Sequence, residues 1–250
     1  MEISALPSLT NLDWLIFLVA ALAVFAGAVV QGSVGLGLGM VAAPVLMFID
    51  TRFVPGPMLF LACVVSILIA YRERHSIDRP GLAYALLGRV PGTVIAGMTI
   101  AAIPLALYNL IFGLLVIAAV LLNTAGWKVL PSTRNLFIAG FASGYMGTLT
   151  SIGAPPMAIV YTHREAAVIR STLAAFFFIS SAISMAILHY FGKFDVEGIL
   201  IGIGFIVPLM VGFWVSGFVV RRINTKVVRY SVLTLAGLSG VALVIKYFAF

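Results

Sequence analysis

Two stretches of this chain place glycine, hydroxyl and amide residues inside otherwise apolar sequence: "QGSVGLGLG" at 31–39 and "SGYMGTLTSIGAPP" at 143–156. Glycine is poor in helix interiors, so each stretch is expected to break a hydrophobic helix. A helix that restarts after a break presents free N–H groups and the positive end of its dipole, which suits an anion with several oxygens. Glycine also lets a ligand come close to the backbone. The candidate binding residues are therefore Gln31, Gly32, Ser33, Gly35, Gly37 and Gly39 in the first stretch. In the second they are Gly144, Tyr145, Gly147, Thr148, Thr150 and Ser151, with the Ser143 hydroxyl nearby. The alternative is that the glycines only let helices pack closely. Two matched breaks, each followed by a proline, favour the site.

Arg89 is the other chemical outlier. It follows Arg79 by ten residues, roughly 15 Å along a helix and so near the middle of a membrane span. Its proton cannot be lost, and a charge at that depth is costly without a partner. No Asp or Glu occurs between Asp78 and Glu165. The helix face of Arg89 carries Ala85, Gly92, Thr93 and Ala96, all small, as a packed or cavity-lining face would be. Arg89 is thus expected to face the centre and to find its counter-charge in a transported anion. The competing reading has it bonding carbonyls at a broken helix. Arg170 shares a face with Ala174, Phe177, Ser181 and Ser184. It is either polar lining or a snorkelling residue near the cytoplasmic end.

The same residues exclude other chemistries. No carboxylate lies deep in a span, so proton coupling through one is not expected. His75, His163 and His189 are too scattered for a metal site. There is no CxxC, His cluster or in-membrane carboxylate pair, so neither an enzyme nor a cofactor is implied. The single cysteine, Cys63, excludes a disulfide framework.

What must position these residues is a set of membrane helices. The chain is 62% hydrophobic and only 9% charged over 250 residues, with a mean hydropathy of +1.18. Apolar runs long enough to cross a bilayer recur throughout, which predicts an all-α polytopic membrane protein. The acidic start "MEISALPSLTNLD" does not read as a cleavable signal. The net charge of +7 sits in short loops, where it sets topology and meets lipid headgroups, and does not point to nucleic acid. The expected partners are the bilayer and a small anionic substrate. Predicted spans are 14–30, 38–49, 55–71, 82–101, 104–124, 135–147, 150–161, 166–189, 197–220 and 227–248. The second, sixth and seventh are too short to cross alone and read as halves of broken or re-entrant elements.

The chain also repeats itself. Setting 25–45 over 137–157 pairs Phe25 with Phe137, Gly32 with Gly144, Gly35 with Gly147 and Pro44 with Pro156, and Arg52 then meets Arg164. Further on, Asp78, Gly81 and Pro91 pair with Asp195, Gly198 and Pro208, while Arg89 meets Ile206. Two homologous repeats follow, at 1–134 and 135–250, each a broken element (14–49 and 135–161) plus three spans. The basic loops are 71–79, 126–134, 163–170 and 221–229. If each broken element is a hairpin that returns to its own side, all four loops fall in the cytoplasm and both termini outside. The halves are then inverted repeats, a common transporter design. If each crosses once, loop 163–170 moves to the other side and the halves are parallel.

The motifs "GSVGLGLGMVAAPVL" and "SGYMGTLTSIGAPPMAIVY", with the Asp–Gly spacing at the entry of each third span, resemble the sulfite exporter TauE/SafE family, also called the toluene sulfonate uptake permease family. The second motif differs in carrying Thr148, Thr150 and Ser151 where more glycine is typical. The resemblance implies a duplicated inner-membrane transporter of sulfite, sulfonates or other small sulfur-containing or organic anions. Alternating access by an exporter is the leading expectation. An anion channel, or an importer of a related organic anion, is the alternative.

Overall fold

The computed structural model describes residues 14–35, 37–127, 129–219 and 225–249. Among them there is no strand. The helices are α1 (Trp14–Val34), α2 (Leu38–Ile49), α3 (Gly56–Arg72), α4 (Arg79–Ala102), α5 (Leu105–Thr124), α6 (Thr133–Thr150), α7 (Ala154–Tyr161), α8 (Ala166–Tyr190), α9 (Val196–Gly204), α10 (Ile206–Val219) and α11 (Thr225–Ala249). Six helical stretches are long and apolar enough to cross a membrane, and α9 with α10 forms a seventh, bent by 50°. This is a multi-pass membrane protein.

Both expected breaks are present, and both are narrower than the sequence suggests. Helix α1 continues through Gly32 and Ser33 to Val34, and α2 begins at Leu38. Helix α6 continues to Thr150, three residues past its predicted end. The Thr150 hydroxyl donates to the Met146 carbonyl (2.7 Å) and accepts from Ile152 N–H (3.1 Å), while Ser151 closes the helix in the left-handed region at φ 60°. A further break was not expected: 197–220, predicted as one span, is split at Phe205. Pro208 has no N–H to offer the Gly204 carbonyl. Phe205 N–H turns back to the Gly202 carbonyl (3.1 Å), and the buried Phe205 ring wedges between Phe17 (5.2 Å) and Phe53 (5.6 Å).

Each broken element doubles back. A Cβ on Gly27 would lie 3.2 Å from Leu38 Cα, so α2 starts beside α1 two turns before α1 ends. Phe53, just beyond α2, then returns to the same Phe205 ring that stacks on Phe17 in the first turn of α1. Likewise Ser143 Oγ on α6 donates to the Gly153 carbonyl (2.6 Å), and at the far end of α7 the Ile159 carbonyl accepts from Val129 N–H (3.4 Å), just ahead of α6. The turn that carries the first hairpin into α3 is held by Asp50, whose carboxylate accepts from Arg52 N–H and Nε (both 2.9 Å) and Nη2 (2.7 Å). Burial raises the Asp50 carboxyl, but these bonds and the Arg52 charge outweigh it and hold it below the usual carboxylate range.

The packing is reciprocal. Helix α4 lies on α6 and α10 on α1; α3 faces α8, α5 faces α11, α7 touches α5 and α2 touches α11. Exchanging α1–α5 with α6–α11 leaves this pattern unchanged. The caps match too: Asp78 and Asp195 each accept, at 3.1 Å, from the N–H three residues on, at Gly81 and Gly198. Small residues make the α4–α6 contact possible, since Gly88, Gly92, Gly140 and Gly144 each press on a carbonyl of the other helix.

Contacts also sort the loops by end. Glu73 pairs with Arg170, Asp78 N–H donates to Thr172 Oγ1 (2.9 Å), and Tyr161 OH donates to Asp78 (3.3 Å). Loops 73–78 and 162–165 therefore share one end of the molecule, which carries Arg72, Arg74, Arg79, Arg134, Arg164 and Arg170. At the opposite end Phe194 packs on Gly56, and the described basic residues there are Arg52, Lys193 and Lys246. Residues 221–224 of the fourth basic loop, and the N-terminal 1–13, lie outside the described residues.

Candidate anion site between the two breaks

The two breaks meet. Gly39, one residue into α2, lies with its Cα against the carbonyl of Ser151, where a Cβ has no room. Beside this crossing is a cavity of about 40 Å³. It is lined by Gln31, Gly37, Leu38, Gly39 and Met40 from the first hairpin, and by Gly147, Ser151, Ile152, Gly153 and Ala154 from the second. Helix α3 adds Leu59, Ala62 and Ser66, α4 adds Arg89, and α8 adds Phe177 and Ser181. The cavity is central, for Arg89 is close to the midpoint of α4 and Ser66 lies well inside α3.

Arg89 is 2% exposed. Nη1 donates to the Ser143 carbonyl (2.8 Å) and Oγ (3.0 Å), Nη2 donates to Ser184 Oγ (3.1 Å), and the guanidinium lies 5.6 Å from the Phe176 ring centre. No carboxylate among the described residues pairs with it, and Nε has no partner. Both readings of this residue are therefore visible. It does bond a carbonyl of the broken element, yet its charge is uncompensated and Nε–H and one Nη2–H are unspent. A buried charge in that condition is expensive. A hydroxyl chain supports it: Thr148 Oγ1 lies 2.8 Å from Ser184 Oγ and donates to Thr93 Oγ1 (3.3 Å).

The free N–H groups are fewer than expected. Gln31 was expected to donate to a ligand, but its Oε1 instead accepts from Gly37 N–H (2.7 Å) and Leu38 N–H (3.2 Å), capping α2. Pro155 and Pro156 occupy the first turn of α7 and bring no N–H. Among the described residues this leaves Gly39 at one break and Gly153 and Ala154 at the other with N–H groups that bond nothing, all of them in the cavity wall.

Of the residues picked from the sequence, Gln31, Gly37, Gly39, Arg89, Gly147 and Ser151 line the cavity. The others sit around it. Gly144 seats α4, and Tyr145 packs in the main apolar core. Thr148 holds Ser184, and Thr150 caps α6. Gly32, Ser33 and Gly35 lie at the tip of the first hairpin: the Gly32 carbonyl accepts from Arg72 Nη2 (3.1 Å), Ser33 Oγ donates to the Ser216 carbonyl (3.5 Å), and Gly35, at φ 83°, rests on the methylene stem of Arg170. Arg170 does not line the cavity, because Nε binds both carboxylate oxygens of Glu73 at 2.9 and 3.0 Å. Ser66 and Gly153 were missed. Ser66 had a signal, as the one serine in an α3 that is apolar until its last turn.

Among the described residues no three His, Cys, Asp or Glu side chains come together as a metal site would need. No curated protein and no solved structure matches the chain. The family model for the sulfite exporter TauE/SafE matches residues 19–243, and the chain belongs to that family.

Proposed function

We propose that this membrane transporter carries a small sulfur oxyanion, sulfite or a close analogue, and exports it by alternating access of two inverted halves, 1–134 and 135–250, around the cavity where their breaks meet. The observation that carries the reading is Arg89, buried in a cavity wall without a carboxylate and with donors unspent. An oxyanion there supplies the missing charge and accepts from Arg89 Nε and from the N–H groups of Gly39, Gly153 and Ala154. Such charged hydrogen bonds are worth about 1.5–3 kcal/mol each.

Size narrows the ligand. At roughly one water per 10–15 Å³, a space of about 40 Å³ holds only a few small groups. It suits an inorganic oxyanion; an organosulfonate tail requires the walls to part. Symmetry limits the number of sites. The repeat partner of Arg89 is Ile206, beside the apolar Phe205 wedge, so only one half supplies a cation and one anion is carried per cycle. The reciprocal packing and the return of each broken element to its starting end support the inverted arrangement. With the arginine-rich end in the cytoplasm of the inner membrane, both termini lie outside and the membrane potential favours anion efflux.

Proteoliposomes test this. Sulfite flux should follow an imposed potential, and Arg89→Ala should abolish it. Unchanged flux in that variant would sink the proposal, and currents far above transporter turnover would replace the exporter with a channel.

A further inference from the structure

Most buried hydroxyls in the described residues are already engaged. Thr93, Ser143, Thr148, Thr150, Ser171, Thr172, Ser184 and Ser216 all hydrogen-bond within the chain. Ser66 and Ser180 have hydroxyls that are buried without a partner, and Ser181, 4% exposed, makes no hydrogen bond among the described residues. Two of these, Ser66 on α3 and Ser181 on α8, line the central cavity. They are 0% and 4% exposed.

A serine or threonine in a helix can spend its hydroxyl on the carbonyl one turn back. This chain does so with Thr99, Thr124, Thr150 and Thr162. Ser66 and Ser181 forgo that bond although both are mid-helix, and for the fully buried Ser66 a hydroxyl without a partner costs about 1–3 kcal/mol. Helices α3 and α8 pack against each other, so the two hydroxyls belong to one wall of the cavity. Arg89 enters from α4 and the free N–H groups from the hairpin breaks.

We infer that Ser66 and Ser181 are the oxygen-counting half of the binding site: they donate to the ligand oxygens that Arg89 and the breaks leave unbonded, and so favour an anion with three or more oxygens over one with two. This rests on the anion reading of the cavity. An ion with two oxygens fills the Arg89 side and leaves both serines unpartnered. A pyramidal or tetrahedral ion presents a further oxygen to the α3–α8 wall. A site that holds buried donors for a group discriminates strongly against ligands lacking it.

The test measures binding of inorganic sulfite and of nitrite by the purified full chain, wild type against Ser66→Ala, Ser181→Ala and Ser66→Thr. Sulfite affinity should fall roughly tenfold or more in each alanine variant, as expected for a lost bond to an ion. Nitrite affinity should stay within about twofold, and Ser66→Thr should keep much of the sulfite affinity. The ligand-free alanine variants should melt no lower than wild type, since an unbonded hydroxyl is removed; a purely structural serine would give a lower melting point. Equal losses for sulfite and nitrite, or no loss for either, would overturn the inference while leaving the Arg89 site intact. A wild type that binds neither ion would overturn the anion reading and this inference with it.

Discussion

The Cα of Gly39 rests on the carbonyl of Ser151, and through this contact the two interrupted elements of the chain touch backbone to backbone. No other residue type fits, because any Cβ there overlaps the Ser151 carbonyl and carbonyls in a packed crossing have nowhere to move. Gly39→Ala is expected to cost about 1–3 kcal/mol and to impair transport, as overpacking does in cores. Gly217→Ala is the control. It lies in α10 with nothing within 4 Å of its Cβ position, so it should be neutral or gain up to about 1 kcal/mol. Thermal unfolding of both variants in detergent checks the pair; equal melting points would mean that the crossing is loose.

Arg89 should resist conservative exchange. Its guanidinium spans Ser143 on one side and Ser184 on the other, and still has Nε–H to give. Lysine is a compact point charge that cannot span both and leave a donor for a ligand. Arg89→Lys is therefore expected to retain less than about a tenth of wild-type sulfite affinity, and Arg89→Ala no sulfite-dependent rise in melting temperature at all. A thermal-shift titration with sulfite reads both. Full activity in Arg89→Lys would reduce the residue to a bare charge.

Gln31 allows its structural role to be separated from its place in the site. Its Oε1 caps two N–H groups of α2 while the residue lines the cavity. Gln31→Glu keeps an oxygen that accepts from both N–H groups and adds a negative charge at a helix N-terminus, which the helix dipole favours. The same charge repels an incoming anion. The variant should melt at or above the wild-type temperature yet bind sulfite at least tenfold more weakly, by analogy with like charges facing each other in binding sites. Gln31→Leu should instead lose stability by about 0.5–2 kcal/mol through the lost cap.

Much of this was legible in the sequence because it depends on local chemistry. Each glycine-rich stretch contains a helix break, although α1 runs on through Gly32 and α6 through Gly144 and Gly147, and the lone arginine in a carboxylate-free span is buried in the cavity wall. The breaks were placed too early because Thr150 and Ser151 extend α6 by a capping turn that composition does not reveal. The Phe205 bend escaped notice because Pro208 resembles Pro91, and Pro91 sits in an unbroken α4. Whether a proline bends a helix depends on what packs there. Gln31 reads as a ligand donor, and Arg170 as polar lining or a snorkelling residue, because their partners, the α2 N–H groups and Glu73, are brought to them only by the folded chain. Ser66 was missed for the opposite reason: the sequence marks it only as the one serine of an apolar helix, and its lack of a partner is visible only in the fold.

Glu73 and Arg170 form the ion pair that ties the loop after α3 to the start of α8, and Gly35 rests on the stem of that same arginine. Both side chains are largely covered, at 16% and 25% exposure, so the pair lies between an exposed and a buried bridge in strength. Removing either partner should cost about 1–3 kcal/mol and loosen the tip of the first hairpin. Exchanging them, Glu73→Arg with Arg170→Glu, restores the attraction but sets the introduced guanidinium beside Arg72, which in the wild type contacts the Glu73 carboxylate at 3.4 Å. The double variant should therefore recover part, not all, of the melting temperature lost by the singles, and a double-mutant cycle gives the coupling. Additive losses in the double variant would mean that the pair does not hold the hairpin tip.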